Sequence, residues 1–158
     1  VFEYGGAIAT AITRLKYADR ADLGPRLGRT MVPAVERLRG AIDVVVPVPL
    51  HPRRLAERGY NQAALLARPV TRALEARSAP RALVRFRHTP QQALLDRAER
   101  LANVRHAFAV RDHASIRDAR VLLVDDVRTT GATLDACASA LAAAGARHVL
   151  TLVLARRT

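Results

Sequence analysis

The stretch "VLLVDDVRTTGATL", Val121 to Leu134, decides the fold. It opens on an apolar run, passes two adjacent aspartates and ends in a turn of hydroxyls with one glycine, which leads into the Ala-rich segment "ATLDACASALAAAG". An apolar run without polar alternation is the pattern of a strand buried on both faces, as in a parallel sheet covered by helices. Such sheets bind ligands beyond the carboxyl ends of their strands, and Asp125 and Asp126 fall at such an end. The turn from Val127 to Thr133 then feeds a helix. The first N–H groups of a helix lack intrahelical partners and its dipole favours an anion, so a phosphate fits there. Gly131 lets the backbone approach that phosphate, and Thr129, Thr130 and Thr133 add hydroxyl donors. Ionised carboxylates only accept hydrogen bonds, so the aspartate pair suits vicinal hydroxyls such as those of a ribose. Together the two halves describe a site for a ribose 5-phosphate. In the bland alternative a threonine caps the helix and both aspartates are solvated. Strand, Asp-Asp, Thr-Thr-Gly-Ala-Thr and helix in that order argue against it. Neither G-x-x-x-x-G-K-[ST] nor G-x-G-x-x-G occurs, so nucleoside-triphosphatase and dinucleotide readings lack their fingerprints.

Upstream, "AIATAITRLKY" carries Ile8, Ile12 and Leu15 at helical spacing. Leu23, Leu27, Met31, Val35 and Leu38 form the stripe of a second helix, ended by Gly40. "DVVVPVPL", Asp43 to Leu50, reads as a buried strand with prolines at its exit. A polar loop, "HPRRLAERGYNQ", precedes a helix from Ala63 to Arg77 that Pro69 should kink or split. "ALVRF", Ala82 to Phe86, is the next strand, and "RHTPQQALLDRAERLANVRHAF" is a charged excursion of the size that binding loops and lids have. After "RVLLVDD" and its helix, closed by Gly145, "HVLTLVLA" supplies a last strand. Strands alternating with helices predict an α/β fold with a parallel sheet, in one domain over residues 1–158.

A chain of 158 residues can bury a core without disulfides or metal. Half of it is hydrophobic but Trp is absent, so Ala, Val and Leu must fill that core. Cys137 is the single cysteine, which excludes an internal disulfide and a cysteine zinc site and fits a reducing cytoplasm. Within the Ala-rich helix it reads as a small core residue. His51, His88, His106, His113 and His148 show no metal-ligand spacing, so the sequence nominates no metal ligands on the protein. No apolar run approaches the ~20 residues that span a bilayer, and no signal peptide is visible. The net charge is +12 and almost all of the basic residues are arginine, since Lys16 is the only lysine. A GC-rich genome accounts for the ratio of arginine to lysine but not for the excess, which points to an anionic partner.

Val121–Leu134 resembles the phosphoribosyl pyrophosphate (PRPP) motif of type I phosphoribosyltransferases. "YGGAIATAITRLKY", "VPVPLHPRRLAERGYNQA" and "RFRHTPQQALLDRAERLANVRHAF" resemble, in order, the ComF family of competence proteins and their GntX relatives. The resemblance implies the type I phosphoribosyltransferase fold, a mostly parallel central sheet flanked by helices. It implies that Asp125 and Asp126 bind the ribose hydroxyls, with a magnesium ion held mainly through PRPP. Val127, Arg128, Thr129, Thr130, Gly131, Ala132 and Thr133 would wrap the 5-phosphate. Leu50, His51 and Arg54 would lie near the pyrophosphate leaving group. Arg85, Arg87, Thr89 and Gln92 fall where related enzymes carry a flexible loop that closes over PRPP, with Arg100 and Asn103 after them. The catalytic set so implied is Asp125, Asp126, Arg54, Arg85 and Arg87. Arg58, Gly59, Asn61 and Gln62 also match, and loop packing is the role expected for Gly59 and Tyr60. The family usually begins with a four-cysteine zinc element that has no counterpart here; the chain, which starts at Val1, is either trimmed or from a member without it.

Two functions from different classes stay open. In the first, a cytoplasmic phosphoribosyltransferase serves DNA uptake, with an unidentified acceptor and competence proteins as partners; its oligomeric state is open, a dimer included. That transfer breaks the C1–pyrophosphate bond while positive charge develops on the ribose, so it needs charge stabilisation and exclusion of water rather than protein acid–base groups. In the second, the fold is a non-catalytic module for single-stranded DNA. The net charge favours it. The scarce aromatics, Phe2, Tyr4, Tyr17, Tyr60, Phe86 and Phe108, do not interleave with arginine along the sequence and weigh against base stacking.

Overall fold

In the computed structural model, which describes residues 1–86 and 107–157, the apolar run at Val121 becomes the middle strand of a five-stranded sheet. Its strands are β1 (Phe2–Glu3), β2 (Val44–Pro47), β3 (Arg77–Ser78), β6 (Arg120–Arg128) and β7 (His148–Arg156). They lie in the order β1-β7-β6-β2-β3, and every pair is parallel. From β2 the chain builds outward to β3, then returns to the other side of β2 to lay down β6 and β7. The direction of winding therefore reverses between β2 and β6, which is where open parallel sheets leave a crevice for ligands. Register deepens that crevice. β2 pairs with β6 only from Val44↔Val121 to Pro47↔Val124, whereas β7 accompanies β6 to Arg128↔Arg156.

Side chains of a strand alternate between its faces. Leu122 and Val124 face helices α1 (Gly6–Tyr17), α2 (Leu23–Met31) and α4 (Gln62–Leu74), in a core with Ile12, Met31, Leu66 and Val70. Val121 and Leu123 face helix α6 (Ala132–Ala143), in a core with Leu134, Cys137, Leu141 and Phe108. Cys137 is thus a small core residue, as its helix suggests. Helices α2 and α4 approach closely because Gly24 and Gly28 carry no side chain. A Cβ on Gly28 would sit 2.4 Å from the Leu66 carbonyl oxygen, and one on Gly24 2.4 Å from Leu65 Cβ.

Several sequence expectations need correction. The second helix stops at Met31; Pro33 follows, and two 3₁₀ turns, Val32–Ala34 and Glu36–Leu38, carry the chain on. Met31 and Val35 of the stripe are nonetheless buried. The polar loop "HPRRLAERGYNQ" holds a helix, α3 (Pro52–Arg58), with Pro52 in its first turn and Gly59 ending it at φ +78°. Pro69 does not split α4, which runs unbroken from Gln62 to Leu74. Its missing N–H costs about 3 kcal/mol, offset by the burial of Leu65, Leu66, Val70 and Leu74 along the same helix. The "ALVRF" strand, β4 (Leu83–Arg85), stays out of the main sheet and pairs antiparallel with β5 (Phe108–Val110). A single turn of helix, α5 (His113–Ile116), leads from β5 to β6.

Candidate functional site

Where β2 ends, the Val48 N–H still donates to the Val124 carbonyl at 2.9 Å, and the chain then leaves the sheet. β6 continues past its last pairing with β2, and its next two residues are Asp125 and Asp126. Both carboxylates are buried, at 8% and 3% exposure, which rules out the solvated pair of the bland reading. As consecutive strand residues they point to opposite faces. Asp125 Oδ1 accepts from the Asp126 N–H at 2.8 Å. Burial first, and the charge of Asp126 second, hold the Asp125 carboxyl well above the usual carboxylate range. On the same side, burial and then Asp125 push the Cys137 thiol up, away from the thiolate form. On the other side Asp126 Oδ2 lies 2.8 Å from Lys16 Nζ, at the end of α1.

Beyond the aspartates, Val127 is half-buried and Arg128, Thr129 and Thr130 are exposed. Gly131 sits at the N-cap of α6 with φ +86°, a left-handed conformation that glycine adopts at no steric cost. It brings no side chain to the helix start. The cap contact there runs from the Ala132 N–H to Thr130 Oγ1, long at 3.4 Å. A cleft of about 50 Å³ lies between Asp125 and residues 127–134. The Arg128 guanidinium reaches over the turn, its Nε 3.0 Å from where a Gly131 Cβ would be.

Leu50 and His51 follow the exit of β2, both half-buried. His51 caps α3, its Nδ1 accepting from the Arg53 N–H at 3.2 Å. Arg54, half-buried on α3, lines a cavity of about 390 Å³ with Lys16, Tyr17, Glu57 and Arg58. Arg85, at the end of β4, stacks on the Phe108 ring at 5.5 Å. Burial, then the charge of Arg54, lowers the pKa of Arg85, and Asp125 opposes that shift. The structure therefore brings Arg54 and Asp125 each within electrostatic reach of Arg85. Arg87, Thr89, Gln92, Arg100 and Asn103 lie outside the described residues.

The family-matching residues after α3 have structural work. The Tyr60 hydroxyl donates to the Leu15 carbonyl at 2.6 Å, fixing the end of α1. Asn61 Oδ1 accepts from the Ala63 N–H at 2.9 Å to cap α4, while its Nδ2 donates to the Val48 carbonyl at 3.0 Å and pins the exit of β2. Arg58 donates to Gln62 Oε1 and stacks over Tyr17 at 5.6 Å. With Arg85 on Phe108 and Arg157 on Tyr4, three arginines meet aromatic rings in space, although the two residue types do not interleave along the sequence. A wider cavity of about 440 Å³ lies at the opposite, amino end of the strands. There the Arg120 guanidinium and backbone N–H hold the Asp43 carboxyl well below the usual range.

Lys16 is the residue that sequence reading missed. It stood out as the only lysine, but nothing local ties it to Asp126. Among the described residues no cluster of His, Cys, Asp or Glu could hold a metal by itself, and no helix is long and apolar enough to cross a membrane.

The phosphoribosyl transferase domain family matches residues 60–158. The chain is 32% identical to the DNA utilization protein YhgH of Escherichia coli O6:H1 strain CFT073, over 99% of this chain and 70% of that protein. It is 31% identical to competence protein F of Haemophilus influenzae, over 94% of this chain and 68% of that protein. The chain belongs to the ComF family of phosphoribosyltransferase-like proteins. Among solved structures, the allosteric regulatory enzyme of purine biosynthesis superposes on this ComF protein with a TM-score of 0.56 at 20% identity, covering 86% of this chain and 26% of that one. The type I phosphoribosyltransferase fold follows from the family and that likeness together.

Proposed function

We propose that this ComF protein binds PRPP with magnesium at the crevice between β2 and β6 and acts as a phosphoribosyltransferase in DNA uptake. The observation that carries the reading is the buried Asp125–Asp126 pair at the point where the sheet reverses direction, directly ahead of a glycine-capped helix start. Asp125 and Asp126 would accept hydrogen bonds from the ribose hydroxyls. Residues Val127 to Thr133 would hold the 5-phosphate on the N–H groups of α6. Arg54 and Arg85 would face the pyrophosphate, whose departure they favour by offsetting its charge. The acidic pair fits a magnesium ion bound chiefly by ligand oxygens, since such ions take one or two carboxylates and complete their shell with phosphate and water. Magnesium would neutralise the leaving group. The names of the relatives support a place in competence and DNA utilization, and with it the cytoplasm, where PRPP and reduced Cys137 are both at home. Isothermal calorimetry with PRPP and magnesium is expected to show a 1:1 complex, and a turnover assay against a panel of bases and amines to reveal the acceptor. Heat-silent titration with no protection of the protein against melting would overturn the reading.

The non-catalytic reading, binding of single-stranded DNA, is favoured by the +12 charge and by Arg58 stacked on the exposed Tyr17. It predicts weak, sequence-independent binding that falls steeply with salt. Affinity measured across a salt series checks it: a flat response, or no binding at low salt, removes this reading.

A further inference from the structure

We propose that Lys16 is a ligand-binding residue that changes partner, leaving Asp126 for an anionic group of the ligand in the cavity between α1 and α3. This rests on the PRPP reading, and the anionic group is the diphosphate on ribose C1. In the structure Lys16 Nζ is 2.8 Å from Asp126 Oδ2, with the side chains 23% and 5% exposed. That ammonium occupies lone pairs that a ribose hydroxyl needs. A largely buried carboxylate and ammonium are not separated cheaply unless each gains a new partner. The diol gives Asp126 its replacement, so Lys16 needs an anion within its own reach.

The cavity of about 390 Å³ that Lys16 itself lines offers the place. Arg54 and Arg58 bring two more cations to its wall, against one carboxylate, Glu57. Arg58 is braced by Gln62 and Tyr17. The root of Lys16 is fixed as well, because Tyr60 holds the Leu15 carbonyl one residue earlier. What can move is the ammonium on its four-carbon stem, a strongly hydrated point charge without a preferred fork geometry. Lys16 would then discriminate between ligands: one with a diphosphate gives it a destination, and one with only a 5-phosphate does not.

The test compares PRPP with ribose 5-phosphate, both with magnesium, by calorimetry on the wild type and Lys16→Met. The expected result is a loss of about tenfold or more for PRPP, with ribose 5-phosphate unchanged or tighter. Lys16→Met leaves Asp126 without its cation, so Lys16→Met with Asp126→Asn is measured beside Asp126→Asn alone; the same loss of preference for PRPP is expected between those two. Because Lys16 is the only lysine, lysine labelled with ¹³C at Cε gives one side-chain signal. PRPP should move it away from the position seen without ligand, and in Asp126→Asn the unliganded signal should already be displaced. Parallel losses for both ligands would make Lys16 a support for Asp126 and overturn the proposal while leaving the PRPP reading intact. If the wild type binds neither ligand, both fall.

Discussion

Asp125→Ala combined with Asp126→Ala is expected to weaken PRPP binding by about two to four orders of magnitude. Each hydrogen bond to a charged group contributes about 1.5–3 kcal/mol, and the pair supplies at least two to the ribose. Calorimetry on a folded double variant decides it, and normal affinity would place the ribose elsewhere. Stability should move the other way for one of the two positions. The native Asp125 carboxyl is held above its unfolded value, mainly by burial and then by Asp126. The folded chain therefore binds more protons than the unfolded one above about pH 4, and stability without ligand falls as pH rises through that window. Asp125→Asn cannot ionise. Its melting temperature should exceed that of the wild type increasingly from pH 4 to 8, by about 2–4 °C for each kcal/mol. Below pH 4 the two curves should fall together, because Asp43 takes up its proton in the unfolded chain there while Arg120 keeps it ionised in the folded one. Coincident curves at neutral pH would show that the buried pair carries no such strain.

Gly131→Val is expected to lose about two orders of magnitude or more in PRPP affinity, the equivalent of two charge-assisted hydrogen bonds to the phosphate. It should also lose stability, since the native φ of +86° strains a β-branched residue by about 1–3 kcal/mol. The Arg128 guanidinium, 3.0 Å from the new Cβ, would have to move too. Gly131→Asn separates the effects. Asparagine tolerates the left-handed region, so that variant should melt close to the wild type while still crowding the anion. Unchanged PRPP affinity in both variants would move the phosphate away from this turn.

How much of this was legible in the sequence depended on how local the cause was. The β6–turn–α6 unit was readable because burial on both faces, paired carboxylates and a left-handed glycine each leave a mark within a few residues. Strands β1 and β3, of two residues each, and β5, of three, carry no periodicity, and only pairing with distant partners makes them strands. α3 was hidden by its arginines, although Pro52 and Gly59 bracket it as helix ends are bracketed. Pro69 does not split α4 because packing along the helix overrides the local penalty. "ALVRF" was rightly extended, but no signal in those five residues says which strand it joins. Asp125 and Asp126 were found as a pair. That one would be gripped by a lysine from the first helix is a contact between distant elements, which the spacing of a single segment cannot encode.

Neighbours in a strand look in opposite directions, and at Asp125 and Asp126 that gives the site a mechanical character. Asp125 belongs to the layer of α6 and the antiparallel β4–β5 pair, Asp126 to the layer of α1 and α4. A molecule that holds both carboxylates would act as a rivet through the sheet, fastening the layers on its two faces. Loading the crevice would therefore slow the opening of backbone amides on both sides at once, in α1 as well as in the β4–β5 pair.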